Sequence, residues 1–239
     1  MATARTAMAR ALTAALSGRR VIILRHGNTG KAEVDAEREL TEKGRSQCEQ
    51  FGKAWASTLH GVTNVLASPV RRTAHTAALV AEPLGLGVTP VEGLYFVQPW
   101  RTAEMKAADA DVGYAPVGEY ISRHPGVYDK AAEMMATAVA ERSGRLVPGD
   151  LLIVGHAGYL SFLALEVVEA LAPASGSSER DEWLQAARKV VLDANVGEVC
   201  GFEIGAPGRG ARYLPNPEST DFAAASSNDA FIINLKVAS

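Results

Sequence analysis

The chain has little cysteine: two residues, Cys48 and Cys200, among 239, and no CxxC pair. That excludes a disulfide framework and a cysteine-ligated zinc site. Both thiols read as small buried hydrophobes, and a reducing, cytoplasmic compartment is expected. No apolar run reaches the ~18 residues that a membrane-spanning helix needs, so no membrane partner is expected. Neither sign of charge dominates. The formal net charge is −3, which argues against a nucleic-acid footprint spread over the surface. Any anion site must then be a local basic pocket. GxGxxG and GKS/T loops are absent, and Gly85-Leu86-Gly87 reads as a turn. Nothing resembles a metal site, and no cofactor is expected. Acidic residues are missing from the first 20 positions, which hold Arg5, Arg10, Arg19 and Arg20 among alanines and threonines. Residues 1–20 are therefore an extension with two readings. One is an organellar transit segment. The other, which we prefer, is an Ala-rich helix over Met8–Leu16 that caps the domain.

What is present is a globular composition, 47% hydrophobic, enough for a full core without staples or metals. Val21-Ile22-Ile23-Leu24 and Leu151-Leu152-Ile153-Val154 are short, continuous apolar runs of the kind that fills buried central strands. Val62–Ala67, Val199–Ile204 and Phe231–Leu235 are further strand candidates. Between the runs lie helical patterns. Leu40–Leu59 repeats Cys48, Phe51, Trp55 and Leu59 on one face behind the N-cap Thr41. Thr73–Ala81, Lys130–Glu141 and Leu160–Leu171 are helical too. Leu94–Gly126 has no clean period and several prolines, and reads as a loop-rich cap insertion. Pro173–Ser178 and Ala206–Ser227 read as loop. Alternating strands and helices predict an α/β three-layer sandwich over residues 21–239, with a mostly parallel central sheet and helices on both faces.

In such sheets, sites form beyond the carboxyl ends of the strands. Arg25-His26-Gly27-Asn28-Thr29 follows the first run, Ser68-Pro69-Val70-Arg71-Arg72 follows Val62–Ala67, and Gly155-His156-Ala157-Gly158 follows Leu151–Val154. Two histidines and two or three arginines thus share equivalent strand ends. Arginine offers forked donors matched to phosphate oxygens. One neutral imidazole can attack phosphorus and carry the phosphoryl group, and a second can donate to the oxygens as charge develops. Gly27 and Gly155 allow close backbone approach. Asn28, Thr29 and Ala157 stand where they could contact substrate.

These residues resemble the histidine phosphatase superfamily, also called phosphoglycerate mutase-like. Leu24-Arg25-His26-Gly27 is similar to its RHG signature, and Leu40-Thr41-Glu42-Lys43-Gly44 to its LTxxG helix start. Ser68–Ala77 is similar to its SPxxRAxxTA segment, and Gly155-His156-Ala157 to its second-histidine motif. The resemblance implies His26 as the phosphorylated nucleophile, Arg25 and Arg72 as phosphate ligands, and His156 as the group that completes the pocket. Arg71 is then a surface or supporting charge. The family also uses an acid to protonate the leaving oxygen. At the corresponding position this chain has Phe96. Glu104 is the preferred substitute, because it lies in the segment that could fold over the pocket. Glu92, Asp109 and Glu119 are the other candidates.

Three functions follow from the resemblance. The first is a phosphatase acting on a small phosphorylated substrate or a phosphoprotein. The second is a mutase, disfavoured because the cap is short and lacks an ERHYG-like segment. The third is a catalytically silent binding module, disfavoured because His26, Arg72 and His156 are all present.

Overall fold

The computed structural model describes residues 2–95, 101–173, 176, 178–205, 209–220 and 222. The strands are β1 (Val21–Arg25), β2 (Val62–Ala67), β3 (Val88–Pro90), β4 (Asp150–Gly155), β5 (Gly201–Ile204) and β6 (Ala211–Leu214). They form one sheet in the order β3-β2-β4-β1-β5-β6. β3, β2, β4 and β1 run parallel, while β5 is antiparallel to β1 and β6 to β5.

The apolar runs occupy the centre of this sheet because both of its faces are covered. Successive side chains sort to opposite faces. Val21 and Ile23 of β1, with Leu151 and Ile153 of β4, enter one apolar cluster; Ile22, Leu24, Leu152 and Val154 enter the other. The first cluster is completed by α1 (Ala2–Leu16), α7 (Asp129–Ser143), α8 (Tyr159–Leu171) and α9 (Ser178–Asp193). The second is completed by α2 (Glu42–Ala54), α3 (Ala56–Leu59) and α4 (Arg71–Ala81). The result is the expected three-layer α/β arrangement. α1 belongs to the core: Met8, Leu12 and Leu16, spaced at four, are buried against α7 and α8.

Several boundaries differ from the sequence reading. The segment read as a loop-rich cap holds two short helices, α5 (Ala103–Val112) and α6 (Val117–Arg123). α5 buries only Met105 and Ala108, so it carries no stripe from which a period could be read. α9 went unassigned although Trp183, Ala187 and Val191 recur at four-residue spacing and are all buried. β6 lies within the stretch read as loop; it is a four-residue edge strand that buries only Ala211 and Leu214. Phe231–Leu235 and Phe96 lie outside the described residues. Among the described residues, no helix is long and apolar enough to cross a membrane, and no group of His, Cys, Asp and Glu could hold a metal ion.

Candidate active site

Register brings the key strand ends together. Arg25 of β1 pairs with Gly155 of β4, and Ala67 of β2 with Val154. The next backbone bonds continue both ladders: His26 donates to the Gly155 carbonyl at 3.1 Å and Ser68 to the Val154 carbonyl at 3.0 Å. His26, His156 and Ser68 therefore emerge side by side.

The loop after β1 is held by the motif residues around it. The Gly27 amide donates to Thr76 Oγ1 at 3.0 Å. Thr41 caps α2 by accepting from the Gly44 amide at 3.0 Å, and its hydroxyl donates to Asn28 Oδ1 at 2.6 Å. A Cβ on Gly44 would stand 2.1 Å from the Asn28 carbonyl oxygen, and one on Gly27 2.8 Å from the Gly44 carbonyl oxygen. Both glycines are needed for the first turn of α2 to dock on the histidine loop. Cys48 packs beneath, where burial pushes its thiol up to about 11; it is an inert hydrophobe.

The His26 ring has a defined tautomer. Its Nδ1 lies 2.8 Å from the Gly27 carbonyl oxygen. A carbonyl only accepts, so Nδ1 carries the proton and Nε2 keeps its lone pair. Burial drives its pKa down to about 4; the Gly27 hydrogen bond opposes this, and Arg25, Arg72 and Arg38 add to it. The imidazole is neutral near pH 7. His156 is also held well below the ordinary value, first by burial and then by His26 and Arg72. Its Nδ1 faces Arg72 Nη2 at 3.3 Å and its Nε2 faces Ser68 Oγ at 2.9 Å. A guanidinium only donates, so the His156 proton sits on Nε2. The two ring centroids are 5.4 Å apart.

The arginines flank the rings. Arg25 is 9% exposed and donates to the Val196 carbonyl at 2.9 Å and to Tyr114 Oη at 3.4 Å. Arg72 is 4% exposed. Its Nη1 donates to the Asp35 carbonyl at 2.6 Å and its Nη2 to Asp35 Oδ2 at 2.8 Å. The Nε–H of each arginine is buried with no acceptor among the described residues. Such donors are uncommon in folded proteins.

These groups open into a cleft of about 780 Å³, lined also by Thr29, Asp35, Arg38, Ala157, Glu198 and the tyrosines 95, 114, 120, 128 and 159. Of the residues predicted from sequence, His26, His156, Arg25, Arg72, Thr29 and Ala157 are brought together here. Two are not. The Asn28 side chain is turned aside, its amide donating to Glu198 Oε1 at 2.7 Å and its oxygen accepting from Thr41. Glu104 does not line the cleft. It is fully exposed in the first turn of α5, where hydrogen bonds from its own backbone amide and Thr102 lower its pKa. Glu92 and Glu119 are likewise exposed and off the cleft. Asp109 does line it, bound to Arg101 and to the Tyr128 hydroxyl. Arg71 is on the surface, paired with Glu39 at 3.0 Å.

Asp35, Arg38 and Glu198 were not foreseen. Asp35 and Arg38 could have been found by extending the strand-end rule down the whole loop from β1 to α2. Glu198 follows no apolar run and gave no such signal.

Two neutral imidazoles and two buried guanidinium groups thus line one cleft at the carboxyl ends of parallel strands. The family model of the histidine phosphatase superfamily (branch 1) matches residues 21–175, and the chain belongs to that superfamily. An acid phosphatase of Mycobacterium tuberculosis is 30% identical over 203 residues, covering 78% of this chain and 88% of the relative. The crystal structure of a phosphoserine phosphatase from Entamoeba histolytica in complex with 3-phosphoglyceric acid has a TM-score of 0.51 at 14% identity. It covers 85% of this chain and 99% of that one, and the likeness is one of fold. Phosphatase activity is supported at the level of the superfamily.

Proposed function

We propose that the chain hydrolyses a phosphomonoester through a phosphohistidine on His26. The observation that carries this reading is the meeting of the His26 and His156 rings, 5.4 Å apart, in one cleft that the buried Arg25 and Arg72 also line. The lone pair of His26 Nε2 is the only one on that ring free to attack, because Nδ1 is tied to Gly27. Phosphoryl transfer depends on positioning and on charge stabilisation at the equatorial oxygens. Arg25 and Arg72 supply fixed positive charge for those oxygens without reorganising water. His156, its Nε2–H now on Ser68, turns that donor to a phosphoryl oxygen when one arrives. Water then hydrolyses the phosphohistidine and frees phosphate. Thr29 and Ala157 contact the bound ester at the mouth of the cleft. The relatives' names, an acid phosphatase and a phosphoserine phosphatase, fit a small phosphorylated substrate. The five tyrosines of the cleft wall suit one with a bulky organic part.

The test is phosphate release from phosphorylated sugars, glycerates, phosphoamino acids and aryl phosphates by wild type and His26→Ala. A second arm is mass spectrometry of acid-avoiding quenched samples. Wild type should release phosphate and gain one phosphoryl group on His26, and the variant should do neither. Equal phosphate release by the two proteins would remove His26 as nucleophile.

A further inference from the structure

Departure of an alcohol from phosphorus calls for a proton on the leaving oxygen. Three carboxylates line the cleft: Asp35, Asp109 and Glu198. Asp109 is held through both oxygens, by Arg101 and by Tyr128. Glu198 is also held through both, by the amides of Asn28 at 2.7 Å and Gln47 at 3.4 Å. Asp35 differs in two ways. Its Oδ2 accepts from Arg72 Nη2, the nitrogen that also faces His156, so it stands one guanidinium away from the histidine pair. Its turn, Asp35–Glu37, buries no residue, and its side chain is 50% exposed. It too is bound through both oxygens, by Arg38 at Oδ1 and by Arg72 and Tyr95 at Oδ2, but it sits on the exposed turn.

We propose that Asp35 protonates the leaving oxygen and then accepts the proton of the attacking water. This inference rests on the phosphohistidine reading of His26. In the resting protein Asp35 occupies the Arg72 fork as an internal anion, with Tyr95 Oη donating to it at 2.9 Å and Arg38 Nη1 at 3.3 Å. Partial burial pushes its carboxyl up, but the hydrogen bonds from Arg72 and Tyr95 outweigh this and hold it below the ordinary value. A phosphate ester competes for the same fork. When Arg72 turns to phosphate oxygens, Asp35 exchanges a cationic neighbour for an anionic one, which favours its protonated form. The charged or titratable groups facing it are then Arg38 on its own segment, Arg72 and the phosphoryl group on the α4 side, Tyr95, and His156 beyond Arg72. In the first step the His26 Nε2–P bond forms as the P–O ester bond breaks, and the Asp35 proton goes to the departing oxygen, giving a neutral alcohol. In the second, water adds to phosphorus, the N–P bond breaks, and the water proton returns Asp35 to its acid form.

The experiment compares wild type, Asp35→Asn and Asp35→Glu on phenyl phosphates that differ only in leaving-group acidity. A general acid contributes about 10²–10⁴-fold, and a leaving group that departs as a stable anion does not need one. Asp35→Asn should lose that factor on unsubstituted phenyl phosphate and about tenfold at most on p-nitrophenyl phosphate. Asp35→Glu, which keeps a carboxyl, should recover part of the loss. An equal loss on every ester, or none on any, would overturn the assignment of Asp35 and leave His26 untouched. A His26→Ala protein that still turns over p-nitrophenyl phosphate would instead overturn the reading beneath it.

Discussion

Lowering the pH tests the His26 environment directly. An imidazole with the ordinary pKa of 6.5 is about one-tenth neutral at pH 5.5. With its pKa held at about 4 by burial and the three arginines, His26 is almost wholly neutral there, so about ten times more of it is competent to attack. The same shift costs stability in acid. The folded pKa lies below the unfolded value, so the unfolded chain binds more protons between these two pH values. Stability is therefore lost as pH falls from 6.5 towards 4. The shift corresponds to about 3 kcal/mol at 1.36 kcal/mol per unit. NMR titration of the ring protons, assigned with His26→Asn, should place His26 far below 6.5. The chemical-denaturation midpoint should fall between pH 7 and pH 5. The acid limb of kcat/KM should lie below pH 5.5 once the ester's own second ionisation, near pH 6, is divided out. A His26 resonance titrating near 6.5, or a tenfold loss of corrected activity by pH 5.5, would refute the claim that burial, helped by the arginines, keeps this ring neutral.

Arg72→Ala removes the proposed two-pronged phosphate ligand. At about 1.5–3 kcal/mol per charge-assisted bond, kcat/KM should fall by about 10²–10⁴, and Arg72→Lys should recover little because an ammonium lacks the fork. Ser68→Ala takes the acceptor from His156 Nε2–H at a fully buried site. We expect about a tenfold loss in kcat, with denaturation showing about 1–3 kcal/mol of destabilisation. Leu12→Ala should lower unfolding free energy by about 2–5 kcal/mol, because Leu12 is 1% exposed against α7 and α8; a neutral result in urea would mean that α1 is not part of the core. Glu104→Gln should leave steady-state rates within about twofold, as expected for an exposed carboxylate on a helix first turn; a hundredfold loss would restore it as the acid.

The legible parts of the chain were those in which one local pattern decides the structure. β1 and β4 could be read because a strand buried on both faces must be apolar at every position, and Val21–Leu24 and Leu151–Val154 are. The histidine and arginine positions followed, since any residue just past such a strand lies at the same end of the sheet. Parts decided by distant partners stayed hidden. β6 is a strand because β5 lies beside it, and its own four residues bury only Ala211 and Leu214. Glu104 looked eligible as the acid because nothing local shows whether an α5 side chain faces the cleft. Asn28 looked like a ligand because sequence does not reveal that Glu198, 170 residues on, takes its amide. Asp35 was overlooked because it is ten residues past the strand end and returns to the site only by pairing with Arg72.

That pairing bears on how buried guanidinium groups are balanced in the fold. A guanidinium only 4% exposed needs a counter-charge, since an unpaired buried cation is strongly destabilising. Arg72 has one in Asp35, on a turn with nothing buried to anchor it. Arg25 has none among the described residues. It is compensated by the Val196 carbonyl and by Tyr114, whose ring centroid lies 5.5 Å from its Cζ. One arginine is thus balanced only by dipoles and the other by an exposed carboxylate, the pair that the proposed phosphate would meet. Both imidazoles, kept neutral chiefly by burial and further by the arginines, add no further positive charge to the pocket. In the proposed reaction the arginines would supply the charge that attracts the ester and the rings a lone pair and a proton, and neither task requires a second buried ion to be left behind.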